Sequence, residues 1–329
     1  MRISTMPLHL RRLLLSSSAL TGIALVSTSA QAGQALPSGG VVTSGTATIA
    51  QPNANQLAIT TGTQRTVIDW NSFSIGTGNK VTIQQPGTSS ITVNEVTGTN
   101  VSQIFGDLSS NGRVVLANPN GIWFGPDSHV DVAGLVASTA TLSDAAKKAF
   151  ASGGRLSLDT AGNATASIQN DGRITIANQG LAALVAPGVR NNGVIQATLG
   201  TVQLASGTTS TLDFYGDGLV SLAVTAPVSA LAIGPDGKPF QATIENNGKL
   251  KAGQVLVTAS VVKGVVDSAI NMSGVTEAKG VTVSGGDIVL DGGDGNVTVA
   301  GTLDASSKQA LGGNVQVTGG AVMLASLTS

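Results

Sequence analysis

The sequence contains no cysteine, only 2 histidines, and few aromatic or charged side chains among its 329 residues. The absence of cysteine excludes disulfide bonds, thiolate zinc sites and the Cys/His pairs of nucleophilic enzymes. The fold must therefore be stabilised by packing and hydrogen bonding, without covalent cross-links between side chains.

Charged residues make up 11% of the chain, and its formal net charge is −1 at pH 7. Such a balance excludes the basic surface that nucleic-acid binding needs. Aromatic residues make up 3%, against a hydrophobic fraction of 41% and 43 glycines. This is too little bulk for an ordinary globular core, yet too much apolar character for a disordered chain. The composition predicts a fold filled by small aliphatic side chains.

The N-terminus has the organisation of an export signal. Three arginines (Arg2, Arg11 and Arg12) precede an apolar run from Leu13 to Val26, which is shorter than the roughly 20 residues of a membrane helix. Ala30 and Ala32 are small residues at the two positions that a signal peptidase reads. We predict a signal peptide over residues 1–32, exported by the Sec machinery and cleaved between Ala32 and Gly33. The alternative is a buried core helix.

Most apolar residues are Val, Ile, Leu and Ala in short alternating strings, a pattern typical of β-strands. Similar strings recur at Val281–Gly285, Val297–Gly301 and Val315–Gly319. A second repeat joins an Asn-Gly or Asp-Gly turn to a strand, and it occurs at Asn111–Ala117, Asp171–Ala177, Asn192–Ala197 and Asn247–Ala252. The glycines of these turns predict positive φ at tight corners.

Repeats of about 20 residues with tight corners are typical of one coil of a solenoid. We predict an all-β chain, a right-handed parallel β-helix filled by stacked aliphatic side chains, with Asn and Ser/Thr ladders at its corners. The same dipeptides also close antiparallel hairpins, so a β-sandwich or barrel is the alternative. The uneven polar stretches between repeats favour the solenoid. Leu142–Phe150 has good helix formers and a Ser143 or Asp144 cap, which predicts one short helix protruding from the solenoid.

Several motifs follow one another in order between Asn94 and Thr139. They are Asn94-Glu95-Val96, Ser102-Gln103-Ile104-Phe105-Gly106, Asn118-Pro119-Asn120-Gly121-Ile122, Phe124-Gly125-Pro126 and Gly134-Leu135-Val136-Ala137-Ser138-Thr139. This ordered set resembles the secretion domain of the filamentous haemagglutinin family, the exported partners of two-partner secretion systems. The resemblance covers residues 38–150. The chain lacks the family's earlier NPNL-type element, and Glu95 stands where an arginine is frequent.

The resemblance implies an N-terminal β-helix that is recognised by periplasmic domains of a dedicated outer-membrane barrel transporter and then threaded outward. It implies a secreted or cell-surface protein of a Gram-negative bacterium, exported through the periplasm. An adhesin-type exoprotein is expected, with host-cell or surface glycans as candidate targets. Residues 33–160 are interpreted as the two-partner secretion domain, and residues 161–329 as continuing β-helix repeats that are cut short at the C-terminus.

The candidate secretion motif is the turn Asn118-Pro119-Asn120-Gly121-Ile122. Pro119 presets one φ, Asn120 tolerates unusual dihedrals, and Gly121 tolerates positive φ. The motif either shapes a corner of the solenoid or contacts the transporter directly. The candidate transporter contacts outside the turn are Asn94, Trp123 and Phe124, and the alternative for Trp123 is a place over the core.

The sequence shows no arrangement of nucleophile and base, so we predict that the chain is not an enzyme and holds no cofactor or metal. Serine is abundant but forms no G-x-S-x-G elbow, and His129 lies among aspartates as a solvated turn residue would. The rival hypothesis is a stand-alone β-helix enzyme or binding module acting on polysaccharide, with acidic residues on adjacent coils. Its candidate residues are Asp287, Asp291 and Asp294, alongside Asp213 and Asp217.

Overall fold

The structure, a computed structural model, describes residues 35–213, 221–262, 268–279, 286–307 and 311–325. The predicted signal peptide with its Ala32–Gly33 cleavage site, the Val281–Gly285 string, Asp217 and the side chain of Asp213 lie outside the described part of the chain. Within the described residues, no helix has the length and apolar character needed to cross a membrane.

Strands account for most of the described chain. The strands before the helix are β1 (Val41–Ser44), β2 (Ala47–Asn53), β3 (Gln56–Thr61), β4 (Arg65–Trp70), β5 (Lys80–Gln84), β6 (Ile91–Val96), β7 (Ser102–Ile104), β8 (Asp107–Ala117), β9 (Ile122–Phe124) and β10 (His129–Ser138). Helix α1 (Asp144–Ala151) follows. The next strands are β11 (Leu156–Leu158), β12 (Ser167–Asn170), β13 (Arg173–Ile176), β14 (Leu181–Ala186), β15 (Gly188–Asn191), β16 (Val194–Ser206), β17 (Thr209–Asp213) and β18 (Ser221–Ala226). The last are β19 (Ile244–Asn246), β20 (Lys249–Ala259), β21 (Ser268–Met272), β22 (Val275–Ala278), β23 (Asp287–Asp291), β24 (Asn296–Val299), β25 (Thr302–Asp304), β26 (Val315–Thr318) and β27 (Val322–Leu324).

The strands stack in parallel as three faces of a coil. The first face contains β3, β5, β13, β22 and β25 together with the first halves of β8, β10, β16 and β20. The second face contains β4, β6, β14, β23 and β26 together with the second halves of the same four strands. The third face contains β7, β9, β12, β15, β19, β21, β24 and β27. This arrangement is a parallel β-helix, the predicted fold class.

The long strands turn a corner without a separate loop. In β10 the pairing with β8 shifts between Val132 and Gly134, and in β16 the pairing with β20 shifts between Ala197 and Thr201. An irregularity of this kind bends a strand, so the residues on its two sides line two different faces.

Alternate side chains point inward and fill the coil. In β5, Val81 and Ile83 are buried while their neighbours are not, as the two-residue period of a strand requires. Strands β6 and β14 are instead buried along their whole length. A second layer of structure therefore covers the outer side of the second face at these coils.

Coil length differs along the solenoid. Ser102 pairs with Ile122, a step of 20 residues that agrees with the predicted repeat, whereas Ile270 pairs with Val297, a step of 27. The strings that begin at Val297 and Val315 were predicted to be one recurring unit, but they lie on different faces: β24 pairs with β27, and β26 pairs with β23. The number of residues from Val297 to Val315 is therefore not the length of a coil.

Antiparallel strand pairs in the described residues add strands outside the stacked parallel coils. Strand β1 pairs with β4 and β2 pairs with β3 at the N-terminal end, and β11, β17 and β18 form a separate three-stranded sheet. The hairpin alternative thus applies to these additions and not to the body of the fold.

The turn glycines serve close stacking and not positive φ. The prediction of positive φ was wrong for Gly112, Gly172, Gly193 and Gly248, since none of these glycines has a positive φ. A Cβ on Gly193 would lie 2.1 Å from the carbonyl oxygen of Gly172, and one on Gly248 would lie 2.2 Å from that of Gly193. The corners at Gly193 and Gly248 rest on the backbone of the preceding corner, and Gly112 lies against the side chain of Gln85, so none of the three has room for a side chain.

Asparagine ladders form at these corners, as the sequence predicts. Asn170, Asn191 and Asn246 are buried on successive coils, and the Nδ2–Oδ1 distances between them are 2.7 and 2.8 Å. Beside this ladder, Asn192 donates to Asp171 at 2.7 Å on the exposed side of the corner. Hydrogen bonds between these carboxamides along the axis of the coil offset part of the cost of their burial, although the Oδ1 of Asn170 is buried without a hydrogen-bond partner.

Helix α1 lies outside the coil against the second face. Ser143 caps it, because its Oγ accepts the amide N–H of Ala146 at 3.2 Å. Ala146 and Phe150 on its inner side are buried in a second apolar cluster with strand residues that include Ile91 and Val115. Strands β11 and β17 contribute to the same cluster. We refer to α1 and the β11–β17–β18 sheet as the outer layer.

Candidate functional site

The candidate secretion motif is a hydrogen-bonded turn at the corner between the second and third faces. Asn118 is buried, and its Nδ2 donates to the carbonyl oxygen of Asn100 and to the Oγ of Ser102, both at 2.9 Å. The amide of Gly121 donates to the carbonyl oxygen of Asn118 at 3.1 Å, which closes a four-residue turn. Asn118 therefore fastens the turn to the neighbouring coil.

Asn120 joins the turn to the segments before and after it. Its Nδ2 donates to the carbonyl oxygen of Gly98 at 2.8 Å, and its Oδ1 accepts from Asn163 at 3.1 Å. Its backbone amide also donates to Oδ1 of Asn118 at 2.9 Å. The side chain is only half-buried, so one side of it faces solvent.

Gly121 has a φ of 115°, as the sequence predicts for this position. A Cβ there would also lie 2.9 Å from the carbonyl oxygen of Ser167. Pro119 is half-buried, whereas Ile122 is 1% exposed and belongs to the core. The motif forms a corner of the coil, and Pro119 and Asn120 are its residues that reach the surface.

The three candidate contact residues outside the turn lie in different environments. Asn94 is fully buried, and its Oδ1 accepts the indole N–H of Trp70 at 3.1 Å. Phe124 is also fully buried in the core. Neither side chain can contact a partner from the folded coil. Trp123 points outward from β9, is half-buried, and donates its indole N–H to Asp171 at 2.6 Å.

A buried ion cluster, which the sequence analysis missed, joins α1 to the second face. The Nζ of Lys147 lies 3.0 Å from both carboxylate oxygens of Asp69 and 2.9 Å from Oε1 of Glu95. Oε2 of Glu95 accepts the amide N–H of Leu142 at 3.0 Å. Glu95 stands where an arginine is frequent in the family that the sequence resembles. Its oppositely charged partner is Lys147 on α1.

The cluster shifts the pKa values of its members. Burial raises the pKa of Glu95 above 4.5, against the opposing effects of Lys147 and the Leu142 amide. Burial by itself would lower the pKa of Lys147, but hydrogen bonds to Glu95 and Asp69 outweigh it and raise that pKa above 10.5. Both pKa values can rise in one cluster. Lys147 faces two carboxylates that favour its charged form, whereas Glu95 faces one cation and the like charge of Asp69.

Arg65 holds the C-terminal end of α1. Its guanidinium donates to the carbonyl oxygens of Gly154 at 2.7 Å and Gly153 at 3.0 Å, and it lies 5.1 Å from the ring centroid of Phe150. A cation at this end of a helix interacts favourably with the helix dipole. Together with Lys147, Arg65 attaches the outer layer to the coil through charged groups.

The acidic residues of the rival enzyme hypothesis make turn and coil contacts. Asp287 accepts the amide N–H of Asn314 at 3.2 Å, and Asp291 accepts from the Oγ1 of Thr318 at 3.1 Å. Asp294 is exposed in a turn. Among the described residues, no three His, Asp or Glu side chains come together as a metal site.

Comparison with known proteins identifies the family. A family model described as TPS secretion domain matches residues 33–305. The heme/hemopexin-binding protein of Haemophilus influenzae strain Rd is 32% identical over 264 residues, which are 79% of this chain and 27% of that protein. A second heme/hemopexin-binding protein of Haemophilus influenzae is 28% identical over 255 residues, which are 75% of this chain and 27% of that protein. The chain thus spans 27% of the length of the curated relatives that it matches.

A solved structure agrees with this assignment. The crystal structure of the HMW1 secretion domain from Haemophilus influenzae is similar at a TM-score of 0.57 and 25% identity, over 86% of this chain and 74% of that one. The family match begins at Gly33 and includes the Asn118–Ile122 turn. The chain therefore belongs to the TPS secretion domain family, whose members are exoproteins exported across the outer membrane of Gram-negative bacteria with a partner transporter.

Proposed function

We propose that this β-helix directs its own export from the periplasm, and that the Asn118–Ile122 turn holds in place the surface that the transporter recognises. The observation that carries the proposal is the position of the turn within the family match, where Asn118 and Asn120 tie it to the coil segments on both sides. Of the three candidate contact residues outside the turn, we retain Trp123, because Asn94 and Phe124 are buried.

The double variant Asn120→Ile with Gly121→Val tests the turn. It removes the Asn120 hydrogen bonds and places a β-branched side chain at a φ of 115°, where strain costs on the order of 1–3 kcal/mol. Deletion of residues 281–329 is the comparison, because it removes coils from one end of a stacked array and leaves the others folded. Co-expressed with the cognate transporter, the deletion variant should reach the medium and the double variant should remain in the periplasm.

Retention of the double variant has two causes that must be separated, misfolding and lost recognition. Circular dichroism and urea unfolding of the refolded double variant, set beside the parent chain, show whether the coil still forms. Normal secretion of the double variant together with retention of the deletion variant would show that the secretion signal lies elsewhere.

For the exoprotein as a whole, we propose a surface or secreted binding role. The motifs of the sequence favour an adhesin for host-cell or surface glycans, whereas both curated relatives are named for binding haem and hemopexin. The names of these relatives, which the chain matches over 27% of their length, are the ground for proposing haem or hemopexin as the ligand of the exoprotein. Retention of the secreted exoprotein on hemin-agarose, without adherence of expressing cells to host cells, is the expected result. Adherence without hemin binding would favour the adhesin.

A further inference from the structure

The aromatic side chains of the described residues divide into two groups. Five are fully buried, namely Trp70, Phe73, Phe124, Phe150 and Phe240. The other two, Phe105 and Trp123, are half-buried at the third face and contact each other edge to face, with ring centroids 4.8 Å apart and an interplanar angle of 88°. Aromatic side chains at a protein surface are enriched where partners bind.

Neighbouring groups hold this aromatic pair rigidly. The carboxylate of Asp171 accepts the indole N–H of Trp123 at 2.6 Å and the side-chain N–H of Gln169 at 2.8 Å. Gly125 allows the ring of Phe105 to lie against the backbone, since a Cβ there would be 2.1 Å from that ring. A surface that is already ordered loses little side-chain entropy when a partner binds.

The corner next to the pair is acidic. On three successive coils it carries Asp107, Asp127 and Asp171. The basic residues beside them are Lys80, which stands opposite Asp107 in the pairing of β5 with β8, and Arg173, while the Nδ1 of His129 lies 3.8 Å from the carboxylate of Asp107. Three carboxylates against these two permanent cations leave a small net negative charge, and Asp127 is the carboxylate farthest from a cation in sequence and pairing. Asp107 and Asp127 are exposed. A cation above an aromatic ring with carboxylates nearby is a favourable arrangement, and the indole of Trp attracts cations most strongly among the aromatic rings.

We propose that Phe105 and Trp123, with the exposed carboxylates of Asp107 and Asp127, form the docking surface for an arginine or lysine side chain on a periplasmic domain of the transporter. The inference rests on the proposed export function and names the surface and the partner group for it. Charge complementarity favours a basic partner, and Trp123 follows the Asn118–Ile122 turn directly in the sequence as the outward-pointing residue of β9.

A saccharide fits this surface less well. The polar groups beside the indole are engaged with one another, because Asp171 accepts from Gln169 and from Asn192, and Oε1 of Gln169 accepts from Arg190 at 3.4 Å. Sugar hydroxyls need polar groups around the stacking ring with which to exchange hydrogen bonds. A basic side chain needs the ring face and the negative potential, both of which this surface supplies.

Isothermal titration of residues 33–329 with the purified periplasmic domains of the cognate transporter tests the proposal. Trp123→Leu should weaken the affinity by about tenfold or more. The pair Asp107→Asn with Asp127→Asn should weaken it severalfold and make it less sensitive to salt. The matched control, Asp236→Asn with Asp294→Asn, removes the same charge from exposed positions elsewhere and should bind as the parent does.

Thermal unfolding of each variant checks that the coil is intact. If the parent chain binds and Trp123→Leu binds equally well, the surface is wrong while the export function stands. Absence of binding by the folded parent chain would instead contradict the export function, and this surface with it. Retention of the parent on a glycan array that is lost in Trp123→Leu, with unchanged affinity for the transporter domains, would identify a saccharide site and overturn the proposal.

Discussion

Replacing Lys147 with methionine tests whether the buried ion cluster holds the outer layer on the coil. Methionine keeps the aliphatic stem but removes the charge that Asp69 and Glu95 share. The side chains of Lys147, Asp69 and Glu95 are 15%, 22% and 8% exposed, so water can replace only part of the lost interaction. The substitution leaves two carboxylates against the second face without their cation.

The expected loss follows from this burial. Removing one partner of a buried ion pair costs about 3–5 kcal/mol, and we expect the lower end, about 3 kcal/mol, because Glu95 keeps the N–H of Leu142. Adding Glu95→Gln to Lys147→Met should recover part of the loss, since it removes one of the uncompensated charges. The matched control is Lys148→Met at the next, exposed position of α1, with an expected cost below about 0.5 kcal/mol.

Native-state hydrogen exchange measures this loss locally, which is necessary because the outer layer can open without unfolding of the coil. At neutral pH the amides of α1 should open on the order of 100-fold more often in Lys147→Met than in the parent, while amides of β16 keep their protection. Equal protection of α1 in Lys147→Met and Lys148→Met would refute the role of the cluster.

Three further predictions concern pH, the asparagine ladder and catalysis. Folding raises the pKa of Lys147 above 10.5, so Lys147 stabilises the folded state below pH 10.5, and this stabilisation is lost as the pH rises through the pKa in the folded protein. Lys147→Arg should therefore remove the decrease in melting temperature at alkaline pH, measured by thermal unfolding. Glu95 also has a raised pKa, so the unfolding free energy should increase as the pH falls towards 4.5, and Glu95→Gln should flatten that slope. Asn191→Ala should cost about 1–3 kcal/mol for each neighbour left unpaired, measured by urea unfolding, with a smaller effect for the exposed Asn192→Ala. Residues 33–329 should turn over neither acidic nor neutral polysaccharides with or without calcium, and activity abolished by Asp287→Asn or Asp291→Asn would favour the enzyme hypothesis.

The coil and the helix could be predicted from the sequence because local geometry decides them. The alternating string that includes Val81 and Ile83 buries one side in any strand that it forms. Ser143 caps α1 and Gly121 adopts a positive φ through contacts within a few residues. The ordered motifs also predicted membership of a secretion-domain family, which the match over residues 33–305 supports.

The attachment of the outer layer to the coil could not be predicted, because the contacts join residues that are distant in the sequence. Lys147 contacts Asp69 across 78 residues, and the Leu142 amide contacts Glu95 across 47. The one local signal was the apolar segment Ile91–Val96, in which a carboxylate interrupts a strand that is buried on both sides. The role of the turn glycines was missed for the same reason, since it depends on the coil against which each corner stacks.

Co-expression with the transporter tests the claim that this β-helix is exported through a dedicated outer-membrane partner. The chain, with its own N-terminus, is produced in a Gram-negative host with or without the cognate transporter, and the amounts in periplasm and medium are measured by immunoblot. We expect the chain in the medium only when the transporter is present, and in the periplasm when it is absent. Equal amounts in the medium under both conditions would contradict the claim.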